Sequence, residues 1–321
     1  TAAAISAAVT GSQPELHLST FSSRRPYKFP DEDHYKDVIS AYRSARATPS
    51  VAGGTAIFTA VVGGYDSVKL PEYLDPRYDY HLFTDGIVED VGLFDIHEID
   101  YHCSDRTRSA RFVKTHPNLL LPKYNIAIWI DGNIIIKDSI EGMVDAFSRS
   151  GEALAAVPHP LRRSVFEEAA ECIKRSKDDA QIIKAQIDRY EAEGFDCTDL
   201  VESNLLMFNL RHPGIEEFIN SWWREIDRAS RRDQLSLNYA LAKAGLTYFR
   251  LAEWPNSVRN HPSLALLPHG AQANLTSGIR RLSAKTFVPW NGPRYAEVKD
   301  ETLALSAGSE IDIVICVHNA L

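Results

Sequence analysis

Short apolar runs that stop on polar loops recur along the first two-thirds of the chain, and stretches with helical spacing join them. Ala56-Ile57-Phe58-Thr59-Ala60-Val61-Val62 ends at Gly63-Gly64-Tyr65-Asp66, and Tyr80-His81-Leu82-Phe83 ends at Thr84-Asp85-Gly86. Asn125-Ile126-Ala127-Ile128-Trp129-Ile130 runs directly into Asp131-Gly132-Asn133. Runs this apolar predict strands covered on both faces. Further strands are predicted over 93–99, 153–157, 205–209 and 247–251, and 134–136 is predicted to continue the 125–130 strand. The spacing of Tyr35, Val38, Ile39 and Tyr42 predicts a helix over 31–47, with acids in its first turn. Other helices are predicted over 107–121, bent or ended at Pro117, and over 140–148, 164–193 in two pieces, 214–229 and 233–244. Strands alternating with helices predict an α/β sandwich with a mixed, mostly parallel sheet, whose ligands bind at the carboxyl ends of the strands.

The two ends depart from this pattern. Residues 1–54 read as a linker rich in small residues followed by one helix, and 55–305 as the α/β domain. Beyond a turn-like spacer from Ser306, the run Ile311-Asp312-Ile313-Val314-Ile315-Cys316-Val317-His318-Asn319 is too apolar to stand alone. It resembles the first strand of family 2 glycosyltransferases, so 306–321 is expected to be a linker and the opening strand of a truncated second transferase domain. A final edge strand of the same domain is the alternative. No stretch approaches the roughly 18 apolar residues that span a bilayer, and the first residues lack the basic region of a signal peptide. A cytoplasmic protein follows, with the inner face of a membrane as a further location.

With 35 basic against 43 acidic residues the net charge is −8, which argues against nucleic acid as a partner. Cys103, Cys172, Cys197 and Cys316 contain no C-x-x-C pair, so neither a disulfide framework nor a thiolate zinc site is indicated.

The chemistry concentrates where apolar strands end. Asp131, closing a wholly apolar strand, calls for a hydrogen-bonding or metal partner, and Asn133 offers a second oxygen two residues on. Such hard donors suit Mg²⁺ or Mn²⁺ bridging a diphosphate, whereas a tight Asp-Gly-Asn turn is the purely structural alternative. Arg108, Arg111 and Lys114 fall on one helix face and could hold phosphate, or could form a solvated face paired with Asp105. Asp233 suits a helix N-terminus. The aromatic residues Trp222, Trp223, Trp254, Trp290 and Tyr295 are either core or a sugar-stacking platform.

Taken in order, Ala56 through Gly64-Tyr65-Asp66, Phe83-Thr84-Asp85, Lys114-Thr115-His116-Pro117, Ile128 to Asn133 and Arg232-Asp233-Gln234-Leu235-Ser236 resemble the DUF616 family, the TOD1/MUCI70 glycosyltransferase-like group, over roughly residues 55–261. More distantly they resemble the family 8 retaining glycosyltransferases and their GT-A fold, a Rossmann-like sandwich. The resemblance implies a metal-assisted, retaining transfer of a hexose-like sugar from a nucleoside-diphosphate donor to a glycan acceptor, within a bifunctional polysaccharide-assembling protein; inversion, with Glu202 or Asp233 as the carboxylate base, is the alternative. It implies metal ligation by Asp131 and Asn133, completed by a late histidine, His261 or else His269. Asp233 and Gln234 would lie beneath the sugar and Glu202 would receive the acceptor hydroxyl. Tyr65, Asp66, Asp85, Arg108, Arg111, Lys114 and the His159-Pro160-Leu161-Arg162 stretch would hold the donor. A neutral Asn133 in place of a second acid weakens the expected metal affinity. A non-catalytic nucleotide-sugar or glycan-binding module and a metal-dependent hydrolase are the competing readings.

Overall fold

A computed structural model of the chain describes residues 28–46, 53–64, 69–86, 92–101, 103–254 and 256–268, together with the backbone of 89–90 and 280–281. Tyr65, Asp66, His269, Trp290, Tyr295, Cys316 and the whole 306–321 segment lie outside the described residues.

The expected α/β sandwich with a mixed, mostly parallel sheet is present. Seven strands form the central sheet: β1 (Thr55–Val61), β2 (Tyr78–Thr84), β4 (Asp95–Glu98), β5 (Ile126–Ile130), β7 (Leu154–Pro158), β8 (Val201–Asn209) and β9 (Phe249–Arg250), in the order β4-β2-β1-β5-β8-β7-β9. β8 runs antiparallel to both neighbours, while the other contacts are parallel. The carboxyl ends of six strands and the beginning of β8 therefore share one edge of the sheet. β2, β5 and β7 are buried along their whole length, which explains the unbroken apolar character of β5 and β7; β2 in addition buries Asp79, His81 and Thr84.

Helices cover both faces. On one face lie α2 (Arg106–Thr115), the short α3 (Pro117–Leu120), α7 (Ile215–Arg228) and α8 (Asp233–Lys243), around a core containing Phe58, Trp129, Phe208, Phe218 and Trp222. The other face receives α1 (Glu32–Ala45) and α4 (Glu141–Ser150), through Tyr35, Tyr42, Val144 and Phe147. α5 (Val165–Lys174) and α6 (Ala180–Ala192) are the two pieces of the long predicted helix, and they pack on α8 through Val165, Ile183 and Leu235. Trp222 is wholly buried core.

The predicted continuation of β5 through 134–136 is corrected. Ile134 donates its N–H to Asp131 O at 2.9 Å, closing a turn that carries the chain out of the sheet. Residues Ile134–Ile136 become β6, which pairs antiparallel with β10 (Leu264–Leu266). A second small ladder joins β3 (Glu89–Asp90) to β11 (Arg280–Arg281).

Candidate functional site

The shared edge gathers most of the residues singled out in the sequence. After β1 the backbone turns through Gly63 and Gly64 at φ 68° and 65°, a region that favours glycine. Asp85, at the end of β2, accepts from Gly63 N at 2.8 Å, and Arg106 donates to Gly63 O at 3.2 Å. The start of this loop is thus held from the adjacent strand and from α2, ahead of Tyr65 and Asp66.

At the centre of the edge stands a buried ionic cluster. Lys114 has no solvent exposure, and its Nζ reaches Asp233 Oδ2 at 2.5 Å and Asp131 Oδ1 at 3.4 Å. Asp233 Oδ2 also accepts from Ser203 Oγ at 2.8 Å, and Arg111 Nε lies 3.1 Å from Asp233 Oδ1. Burial raises the pKa of Asp233, but Arg111, Lys114 and Arg232 outweigh that and hold its carboxyl well below the ordinary range. Asp131 accepts from Trp129 Nε1 at 2.7 Å and keeps 29% of its side chain exposed. One lysine therefore spans two carboxylates, of which Asp233 is closed in and Asp131 opens to solvent. Gln234 follows on α8, half-buried.

Arg108 does not join this cluster. It donates to Ile226 O at 3.2 Å, Ala229 O at 2.9 Å and Asp105 Oδ2 at 2.8 Å, tying α2 to the end of α7. The i, i+3, i+6 face expected of Arg108, Arg111 and Lys114 thus splits, because the open carbonyls at the C-terminus of α7 capture the first arginine.

Asn133 and His261 are separated. Asn133 Nδ2 donates to Leu267 O at 2.9 Å and Leu267 N to Asn133 O at 2.8 Å, so Leu267 is the neighbour of Asn133. In the β6–β10 ladder Leu266 faces Ile134 and Leu264 faces Ile136. His261 lies beyond that far end, near Lys137, and its Nδ1 accepts from Ser263 N at 3.1 Å. The expectation that His261 completes a cation shell beside Asn133 is corrected by this register. Burial and the charge of Lys137 lower its pKa.

Oxygen atoms without hydrogen-bond partners border the Asp-Gly-Asn turn: Asn133 Oδ1, Asn204 Oδ1 and Thr59 Oγ1, all buried. Asp131 N donates to Asn204 O at 2.9 Å, and a Cβ on Gly132 would lie 4.0 Å from Thr59 Oγ1. Asp131, Gly132 and Thr59 line a small cleft with Val61, Lys69, Pro71, Phe94, Ile130 and Ile134. A carboxylate and an unpartnered amide oxygen two residues apart fit a hard divalent cation. Among the described residues no cluster of three His, Cys, Asp or Glu side chains is arranged to hold a metal ion, so the fit rests on the Asp131–Asn133 pair.

Beyond β8 the edge carries a second set of buried charges. Glu202 pairs with Arg259, and Asn204 Nδ2 lies 3.5 Å from Glu202 Oε2. Burial raises the Glu202 pKa against the opposing pull of Arg259. His159, next after β7, accepts at Nδ1 from Leu161 N at 3.1 Å and Arg162 N at 2.9 Å, while Arg162 pairs with Glu168. Burial, reinforced by Arg162 and Arg259, pushes the His159 pKa down to about 3. His159 is thus a neutral brace for its loop, and Arg162 is engaged within the protein.

Sequence reasoning missed Arg259, Ser203, Asn204, Thr59 and Trp129. The strand period carried one usable signal: along β8, Ser203 points toward α8 while Glu202 and Asn204 point to the other side. Arg259, 57 residues from Glu202, left none.

The fold is an open α/β sheet covered by helices on both faces, the class in which ligands bind outside the carboxyl ends of the strands. The TOD1/MUCI70, glycosyltransferase-like domain family matches residues 84–261, more than half of the chain, and the chain belongs to that family. It is similar to the probable hexosyltransferase MUCI70 of Arabidopsis thaliana, with 24% identity over 214 residues, covering 58% of this chain and 36% of that protein. The chain thus spans about a third of that relative's length. Among solved structures it is similar to mouse xyloside xylosyltransferase 1 (12% identity, 62% of this chain and 85% of that one, TM-score 0.37). The bifunctional glycosyltransferase WbbM is a further neighbour (10%, 63% and 39%, TM-score 0.35), as is the galactosyltransferase LgtC with donor and acceptor sugar analogs (13%, 57% and 69%, TM-score 0.34).

Proposed function

We propose that the domain transfers a hexose from a nucleoside-diphosphate donor to a glycan acceptor with retention of configuration. The observation that carries this reading is the buried Lys114 bridging Asp131 and Asp233 at the ligand edge of the sheet. Asp131 and Asn133 would hold a divalent cation, which when bound supplies positive charge to the diphosphate of the donor. Lys114 and Arg111 keep Asp233 ionised and fixed, and so orient the first turn of α8, with Gln234, against the sugar. Asp233, closed in by Lys114 and Arg111, is a poor general base, so base-assisted inversion would fall to Glu202, whose pKa burial raises. Glu202, fixed by Arg259, would orient the acceptor hydroxyl. Asp85 and the Gly63-Gly64 turn shape the nucleotide end.

The test is a thermal-shift and donor-hydrolysis screen of nucleoside-diphosphate hexoses with and without Mn²⁺, on the parent and on Asp131→Ala. The expected outcome is a cation-dependent shift and slow hydrolysis in the parent, with turnover at least a hundredfold lower in the variant. Hydrolysis at the parent rate in Asp131→Ala removes Asp131 from the site. Donor binding without any turnover in the parent makes the domain a nucleotide-sugar-binding module.

A further inference from the structure

The strand order arranges the functional edge as a line. From the Asp85 and Gly63 end, at β2 and β1, it passes Asp131 after β5, then Asn204 and Glu202 on β8, then the loop after β7, and ends at the segment after β9. With the nucleotide end at β1 and β2 and the ionic cluster at β5 and β8, the β7 and β9 end remains for the second substrate. Neighbouring strands lie about 4.8 Å apart, which places the β7 loop about 10 Å from Asp131, the scale of a short oligosaccharide.

That loop is rigid yet displays apolar surface. His159 anchors it through Leu161 N and Arg162 N, Arg162 is tied to Glu168, Arg163 N donates to Glu167 at 2.8 Å, and Arg163 O accepts from Leu200 N at 2.9 Å. On this braced backbone Leu161 is 49% exposed, one of two large apolar side chains so exposed among the described residues. The exposed Arg163 places its guanidinium 5.7 Å from the ring centroid of the half-buried Trp254. Leu251 N donates to Ala156 O at 2.9 Å, which keeps the Trp254 segment alongside β7.

We propose that Leu161, Arg163 and Trp254 form the platform on which the acceptor glycan docks, with the sugar ring lying on apolar and aromatic surface and the guanidinium donating to its hydroxyls. The inference rests on the transferase reading above and names the acceptor class as a neutral oligosaccharide. Arg162 and Arg259 are each matched by a buried acid, Glu168 and Glu202, and Glu167 and Glu253 flank the platform, so it has no excess of positive charge to select a polyuronide.

Affinity electrophoresis through gels containing neutral galactan, xylan or glucomannan, with polygalacturonate as the acidic comparator, tests the platform. The parent is expected to be retarded by at least one neutral polysaccharide. Trp254→Ala and Arg163→Ala are expected to weaken retardation at least tenfold and Trp254→Phe to keep most of it. The thermal shift given by UDP or GDP with Mn²⁺ should be the same in all four proteins, which also establishes that the variants fold. No retardation of the parent, retardation by polygalacturonate alone, or variants that migrate like the parent would overturn the proposal. Retardation that depends on Trp254, in a parent that neither shifts with nucleotide nor hydrolyses donor, leaves the platform standing and removes the transferase reading instead.

Discussion

Two buried polar regions in this domain are built on opposite plans. Around Lys114, full charges dominate: an ammonium and a guanidinium face Asp233, Asp131 opens to solvent, and unpartnered oxygens lie alongside. Under β2 and β4, a one-way chain of hydrogen bonds runs through the neutral side chains of His97, His81 and Tyr124 and ends on the Asp79–Arg46 ion pair. Tyr124 donates to Asp79, which also pairs with Arg46, so the Tyr124 hydroxyl accepts from His81 Nε2 at 2.8 Å. His81 Nδ1 is then left to accept from His97 Nε2 at 2.9 Å. Every proton in that chain has a fixed place, as suits a scaffold. The cluster at Lys114 instead retains acceptors with nothing to accept from, as suits a ligand site. Burial alone does not separate the two regions; what sets the first apart is that Asp131 keeps 29% of its side chain exposed, with the unpartnered Asn133 Oδ1 two residues on.

Asp233→Ala should have the largest effect of any single change. It leaves Lys114 and Arg111 facing a cavity, and removing one partner of a buried pair costs about 3–5 kcal/mol. Denaturant unfolding should show that loss together with the disappearance of donor turnover. A variant as stable as the parent would show that the ionic cluster contributes less to the fold than the Tyr124 chain.

Tyr124→Phe cuts the neutral chain at its centre and strands buried acceptors on Asp79, a cost of about 1–3 kcal/mol. Donor hydrolysis should be unchanged at temperatures where the variant is folded. A comparable loss of turnover would show that the two regions are not independent.

Acidification should sharpen the contrast by pH range. Burial pushes the pKa values of His81 and His159 down to about 3 and that of His116 to about 4, from 6.5. These side chains are neutral when folded and take up protons on unfolding, so stability falls as pH drops below 6.5, by up to one proton each. Asp233 acts lower: its depressed pKa stabilises the fold above 3.8, and that contribution is lost as pH falls below this value. Unfolding followed from pH 7 to 4 should therefore record uptake by the histidines, with little from Asp233.

The smallest effect on stability is expected of Gln234→Ala, a half-buried position in the first turn of α8. Its expected signature is kinetic, a fall in kcat that exceeds any change in donor affinity. Equal losses in both would assign Gln234 to donor binding alone.

The sequence by itself determined the alternation of strands and helices, the burial of β5 and β7, and the position of Asp131 at a strand end, because these follow from local periodicity and the cost of burying a lone carboxylate. The order of motifs from Phe83 to Asp233 was likewise legible as a family pattern. Only the tertiary structure decided which charges meet. Lys114 reaches Asp233 across 119 residues, Arg259 reaches Glu202 across 57, and Arg108 turns away to the carbonyls ending α7. The turn at Asp131 redirected Ile134–Ile136 into a separate ladder, and the register of that ladder set Leu267 beside Asn133 and carried His261 to the far end. Periodicity fixes the face a side chain takes, but its partner is chosen by the packing of elements distant in sequence, and that choice has no local signature.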